Sequence, residues 1–451
     1  MRILYIDVYP DKKVINYLKK IDKKLDILII KSLLKYFKIN FNKNKKYRYF
    51  LILLAAKAPF YIFSQLLKSI LEKNNYRTNI RNCILDQIER ENGELSTKYT
   101  SKKYIRKNII KYLYKSIKLY SLIYFIKIYI NHENINAAVL PQLDGYPYGG
   151  VSAYFISRDL YLGSWINAPG TWDGRPPLLF TIRKGYHNIH CPMKNDLYKL
   201  QKLSDKELDK KIYEIKSNYL NERIDWINLP NNEYSIKNQE VDHYKSLIDP
   251  TKKTAFVLLH HFTDQSRPRL TNTWFENYLD WLIETISFCK LNTNINWIFK
   301  NHPNSVLYPL KEYQNKFIYN LIKDNKFIFI DSTKIKFLQK EVSQIASIIV
   351  TCGGTCKLEY PALFGLPVIS CIGRDSQYLY EGLSLVAKSQ NEYKELIMQA
   401  QNLSITNEEI RYCKESLVYY HNKNFSQSSN NERLVFSKYY DPENRLVLRN
   451  F

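Results

Sequence analysis

The chain is predicted to be an α/β protein of two domains, the second of them a doubly wound parallel sheet. At 451 residues it is too long for one compact core. From Ala255 to Cys371, short β-branched runs alternate with helical patterns in a β-α-β-α-β-α-β series, the arrangement that builds a parallel sheet covered on both faces. Within that series Ile348 to Ile369 reads as a buried strand, a Gly353-Gly354 turn, a helix from about Thr355 that stops at Gly365, and a next strand after Pro367. Pro361 is expected to bend that helix.

Hydrophobic residues make up 45% of the chain and aromatics 14%, enough to fill two cores and inconsistent with wholesale disorder. The formal net charge is +24, mostly from lysine. Tyr, Ile, Asn and Lys are all plentiful, as an AT-rich genome imposes, so part of that charge carries no function. The remainder implies an anionic partner: nucleic acid, a membrane surface or an acidic polymer. The lysines are spread along the whole chain and no helix-turn-helix, zinc-finger or RRM pattern occurs, which argues against nucleic acid. Seven cysteines, with no CxxC pair, indicate a reducing compartment, and Cys352 and Cys356 read as packing residues rather than zinc ligands. Met1-Arg2 runs straight into a strand at 3–8 instead of an apolar leader, so a cytoplasmic location is expected.

Taken in order, the first strand is followed by a lysine-rich helical pattern to about Lys38 and a basic loop, Asn42 to Arg48. The run Tyr49 to Leu67 is the most apolar of the chain. A spanning helix needs roughly 20 apolar residues; Lys57 and Pro59 interrupt this one, which favours a buried or interfacial helix over a transmembrane one. Ser101 to Asn131 is helical by period, with Lys103, Lys107, Lys111, Lys115 and Lys118 along one face, suited either to an anionic membrane surface or to water. Ala137 to Leu143 is a strand that delivers Asp144-Gly145 to its carboxyl end. Gly149-Gly150 precede a helix, Val151 to Leu160, and Asn167 to Arg183 is loop-like. Ser204 and Glu207 form a capping box that opens a helix to about Arg223. The domain boundary falls in the weakly periodic Trp226 to Lys253.

In the second half, strand Ala255 to His260 leads into His260-His261-Phe-Thr-Asp264, with Arg267 and Arg269 in the loop. A helix from Trp274 to Cys289 turns Phe275, Leu279, Leu282, Ile286 and Cys289 inward. Strand Ile295 to Phe299 gives Lys300-Asn301-His302-Pro303. Ligands of doubly wound sheets bind outside the carboxyl ends of the strands, where His260, Asp264, Lys300, His302, Thr351 and Thr355 all lie. The glycine turn and the helix start beyond it suit a phosphate, and Glu359, one turn in, is placed to hold a ribose. The alternative there is an ordinary turn with a surface Glu.

The sequence HHFTD after a strand, then WIFKNHP, then GGTCKLEYPALFGLPVI resembles the bacterial capsule polysaccharide biosynthesis glycosyltransferases, a GT-B group that includes the 3-deoxy-manno-octulosonic acid (Kdo) transferases. More distantly it is similar to polysialyltransferases and CDP-glycerol glycerophosphotransferases, which share a His-Pro motif. The resemblance covers about Ala255 to Ile372; in the N-terminal half only LDGYPYGG is loosely similar. Cys356 and Lys357 depart from it, standing where small residues are usual. It implies two Rossmann-like doubly wound domains facing a cleft: residues 1–240 on the acceptor side and 250–451 binding the nucleotide-sugar. The implied donor is a CMP-sugar such as CMP-Kdo, the acceptor a surface polysaccharide or lipid-linked glycan at the inner membrane face, with no metal and no cofactor. His260, Lys300, His302, Thr351, Gly353, Gly354, Thr355 and Glu359 would contact the donor. His302, Lys300, Thr355 and the helix N-terminus would stabilise the leaving phosphate. Asp144 is the expected base, or the carboxylate nucleophile if configuration is retained, with Asp264 next.

Overall fold

Among the described residues, short strands form two sheets, one of seven strands and one of six, in two compact units that exchange segments along the chain. The computed structural model describes residues 3–7, 26–29, 57–68, 75–141, 145–167, 178–184, 201–222, 238–264, 267, 273–302, 305, 309–335, 337–371, 385–421, 437–441 and 445–449.

The first unit comprises Met1–Leu85, Ile105–Ile189 and Lys423–Phe451. Its sheet begins with four parallel strands in the order β2-β1-β3-β4: β1 (Ile3–Asp7), β2 (Asp26–Ile29), β3 (Ala137–Leu140) and β4 (Tyr161–Asn167). This is the Rossmann-like part. β5 (Leu178–Lys184) then runs antiparallel to β4, and two strands near the C-terminus, β12 (Ser437–Asp441) and β13 (Arg445–Arg449), extend the same antiparallel edge. Sequence reading placed a helix across 26–29 and a loop across 178–183; both are strands, because pairing in the sheet overrides weak local preference.

The basic helical stretch is two helices, Ser101–Lys107 and Ile109–Glu133, broken at Asn108. The lysine stripe therefore does not run along one continuous helix, and Lys115 lies over the Tyr146 ring at 5.1 Å. The glycine pair sits inside the helix Tyr148–Ser157 rather than before it. A Cβ at Gly150 would fall 2.5 Å from Leu119 Cδ2, so the glycine lets these two helices touch. Residues 49–56 of the apolar run, the basic loop at 42–48 and Asp144 lie outside the described residues. Positions 57–68 are helical, and among the described residues no helix is long and apolar enough to cross a membrane.

The second unit comprises Asp86–Tyr104 and His190–Asn422. Its six described strands are all parallel: β6 (Lys253–Leu258), β7 (Ile295–Lys300), β8 (Ile328–Ile330), β9 (Ile348–Val350), β10 (Val368–Cys371) and β11 (Val386–Ala387). Their order is β8-β7-β6-β9-β10-β11, which numbered within the unit is the 3-2-1-4-5-6 order of dinucleotide-binding folds. The sheet reverses direction of growth between β6 and β9. The helix Tyr278–Cys289 starts at Tyr278 rather than at Trp274, because Asn277 caps it by accepting from the N–H groups of Leu279 and Asp280; Leu279, Leu282, Ile286 and Cys289 on it are buried as its period predicted, and Phe275 is buried in the segment before it.

The expected boundary near 240–250 differs from these units for two physical reasons. The helix Asp205–Glu222 forms its predicted capping box, Ser204 Oγ donating to Glu207 at 2.7 Å, but Leu208 and Ile212 pack with Leu358, Leu363, Cys413 and Leu417 of the second unit. The segment from Asp86 is held there by Arg267, which is fully buried. Its guanidinium donates to both Glu89 oxygens (2.8 and 3.2 Å), to Glu276 (3.0 Å) and to the carbonyl and hydroxyl of Ser96 (3.0 and 2.9 Å).

Asp86 accepts the Arg267 N–H at 3.5 Å in the same buried cluster. Burial, then the charges of Glu89 and Asp264, push its carboxyl up to about 7 against the pull of Arg267. An acid whose folded pKa exceeds its unfolded value of about 3.9 binds extra protons in the folded state, so its contribution to stability falls as pH rises from about 4 to about 7. Asp86→Asn is expected to flatten this slope and to raise stability at pH 8 relative to wild type. Urea unfolding of both proteins at pH 5 and pH 8 measures it; parallel pH dependence would refute the assignment.

Candidate active site

The switch point between β6 and β9 places two loops side by side at the carboxyl rim of the second sheet. β9 ends at Val350, and Thr351, Cys352, Gly353 and Gly354 carry the chain into the helix Cys356–Phe364. Gly354 has φ +84°, in the region that favours glycine, and a Cβ there would lie 3.1 Å from His260 Cε1. Thr355 occupies the N-cap position with helical dihedrals, and its own side chain makes no capping bond. The leading N–H groups of the helix and its positive dipole end are thus directed at the rim, the arrangement that binds anions. Gly365 closes the helix in the left-handed conformation, as expected.

His260, at the end of β6, braces this turn. Its Nε2 lies 2.9 Å from the Gly353 carbonyl, and since a carbonyl only accepts, Nε2 carries the proton. The Thr351 hydroxyl donates to the same carbonyl at 3.1 Å and lies 3.3 Å from Nε2. The ring stacks on Tyr278 with centroids 4.6 Å apart. His260 and Thr351, both expected as direct nucleotide contacts, hold the carbonyl of the turn. Gly354→Ala is expected to cost about 1–3 kcal/mol, because the residue would be strained in φ and crowd the imidazole. A thermal or urea melt reads this directly, and an unchanged midpoint would show that the turn tolerates a Cβ.

The neighbouring strand β7 brings Lys300 and His302 to the same rim. Lys300 is buried, and its carbonyl accepts the Leu259 N–H at 2.8 Å, tying the ends of β6 and β7 together. His302 is half-buried, with its carbonyl accepting the Ser305 N–H at 3.0 Å. Between them Asn301 donates to Asp331 at 2.8 Å and accepts the Ser332 N–H at 2.5 Å, fixing this loop to the end of β8. Burial works against the Asp331 charge, but hydrogen bonds from Thr333 and Asn301 outweigh it and hold the carboxyl below its ordinary value. Asp264 is half-buried and closes a turn with the His261 carbonyl at 3.0 Å.

Glu359 departs from expectation. It is only 1% exposed, and its carboxylate accepts a hydrogen bond from Gln339 of the helix Gln339–Ser343. It thus faces a packed neighbour, not an open ribose site. Sequence reasoning missed Lys357. This buried lysine donates to the Cys371 carbonyl at 3.1 Å, while the Cys371 thiol donates to the Cys352 carbonyl at 3.3 Å, placing a cation where β9 and β10 end. Its only sequence signal was a lysine where small residues are usual. Cys352 is buried and all the described cysteines are free thiols. Among the described residues no three of His, Cys, Asp or Glu gather as a metal ion would require.

The fold and rim define a two-unit α/β protein whose second unit is a Rossmann-like domain with a glycine turn and a helix start at its switch point. No family model matches the chain, and no curated protein does. Among solved structures it is similar to UDP-GlcNAc 2-epimerase from Neisseria meningitidis bound to UDP-GlcNAc, at 11% identity over 92% of this chain and 94% of that one, with a TM-score of 0.30. It is similar to UDP-GlcNAc 2-epimerase from Methanocaldococcus jannaschii in complex with UDP-GlcNAc and UDP, at 12% identity, 67% and 80% coverage and a TM-score of 0.29. A third is an O-GlcNAc transferase of Thermobaculum terrenum, at 13% identity, 39% and 33% coverage and a TM-score of 0.23. At this level of likeness the chemistry of the rim carries the functional conclusion.

Proposed function

We propose that this protein is a glycosyltransferase that takes its sugar from a nucleotide donor, with the donor phosphate seated at the Gly353-Gly354 turn. The observation that carries this reading is the braced glycine turn leading into a helix whose N-cap Thr355 makes no side-chain capping bond, at the switch point of a 3-2-1-4-5-6 sheet. Lys300 and His302 stand on the adjacent strand end and supply cationic or donor groups for the phosphate charge that grows as the glycosidic bond to the donor breaks. The resemblance of the KNHP and GGTCKLEYPALFGLP segments to capsule glycosyltransferases supports a cytidine nucleotide, a CMP-sugar such as CMP-Kdo. It also supports a growing surface glycan as acceptor. Asp144, after β3, is the proposed group that activates the acceptor hydroxyl or attacks the sugar, with Asp264 second.

The test is incubation of the purified chain with CMP-, CDP- and UDP-sugars, with and without glycan acceptor, following nucleotide release. Acceptor-dependent release, fastest with a CMP-sugar, is the expected result. Release from a UDP-sugar alone would move the donor class while leaving the site in place, and no release from any donor would refute the reading.

A further inference from the structure

The helix Ile109–Glu133 changes character halfway along. From Leu119 onward it is built into the first unit, with Leu119, Tyr120, Leu122, Ile123 and Ile126 buried. Its first ten residues expose apolar side chains instead: Ile110 is 81% exposed, Tyr114 59%, and Ile109, Leu113 and Ile117 between 41 and 45%. A second helix of the same unit, 57–68, rests on the buried half through Tyr61, whose ring lies 4.7 Å from that of Tyr124. It exposes Phe60 at 80% and Phe63 at 64%. Large aliphatic and aromatic groups this bare, on each of two helices of one unit, mark apolar surface that something covers.

The charges around them say what. From Ile105 to Asn131 there is no Asp or Glu, while Arg106, Lys107, Lys111, Lys115, Lys118 and Lys127 are all cationic; the helix 57–68 likewise has Lys57 and Lys68 and no acid. A protein partner matched to these groups would need an acidic face with an apolar centre. An anionic bilayer offers both layers at once, negative headgroups for the cations and acyl chains for the isoleucines and phenylalanines. We infer that the exposed start of the helix Ile109–Glu133, with the helix 57–68, is an interfacial insertion surface for anionic lipid. Binding therefore rests on apolar insertion as well as on the lysine charge read from the sequence.

Cosedimentation with vesicles decides it. The full chain is expected to bind phosphatidylglycerol-containing vesicles and to bind pure phosphatidylcholine vesicles at least tenfold more weakly. Ile110→Ser and Phe63→Ser remove side chains whose burial is worth about 1.5–3 kcal/mol each, so each is expected to lower the partition coefficient by about tenfold or more with an unchanged melt. Lys107→Gln with Lys111→Gln is expected to reduce the salt dependence of binding. Equal binding of wild type and both serine variants would overturn insertion. No binding to anionic vesicles, or a salt-stable dimer in solution that Ile110→Ser dissociates, would overturn the lipid assignment.

Discussion

Arg267→Ala is expected to destabilise the second unit by about 3–5 kcal/mol, the cost of leaving buried carboxylates without their cation. The guanidinium is fully enclosed and satisfies Glu89, Glu276 and Ser96 together, joining the loop after β6 to the 86–104 segment. Asn277 adds to the same knot, donating to the Ser96 carbonyl at 2.5 Å while capping the helix Tyr278–Cys289. Urea unfolding is the measurement, with Glu89→Gln and the double variant completing a cycle; a coupling energy of at least about 1 kcal/mol is expected for groups in direct contact. A single-variant loss below about 1 kcal/mol would show that the cluster contributes little.

The second large effect is on turnover. His302→Ala is expected to lower it by a factor on the order of 100, the range for removing one general acid or one donor to a developing anion. His302 sits on a loop fixed by Asn301 to Asp331 and Ser332, so the alanine variant should keep its melting midpoint while losing rate. Near-normal turnover would reduce the histidine to a turn residue.

The parts legible in the sequence were those with a local physical signal. The β-α-β alternation, the inward stripe of the helix Tyr278–Cys289, the Ser204–Glu207 capping box and the Gly365 helix stop each depend on residues within one or two turns of each other. Arg267 stood in the chain beside Asp264 with nothing to mark its partner, because Glu89 lies 178 positions away. Glu359 was one turn into the right helix, but rotation of about 100° per residue decides which neighbour it meets, and Gln339 comes from a separate element. His260 and Gly353 were both read as site residues; that the imidazole holds the turn's carbonyl follows only from the adjacency of β6 and β9. The antiparallel edge of the first unit joins β5 to β13 across more than half the chain, beyond any local pattern.

The most direct test of the phosphate site uses Gly353, where an added Cβ would meet only His260 Nε2, at an ordinary 3.8 Å. Gly353→Asp should therefore fold normally and set a carboxylate at the helix mouth, the proposed seat of the nucleotide phosphate. Calorimetric titration of wild type and variant with CMP, CDP and UDP, alongside melting curves, is the measurement. An unchanged melt and a nucleotide affinity at least about tenfold weaker are expected, as a like charge at a contact site demands. Equal affinity of the two proteins for the nucleotide would place the phosphate elsewhere and contradict it.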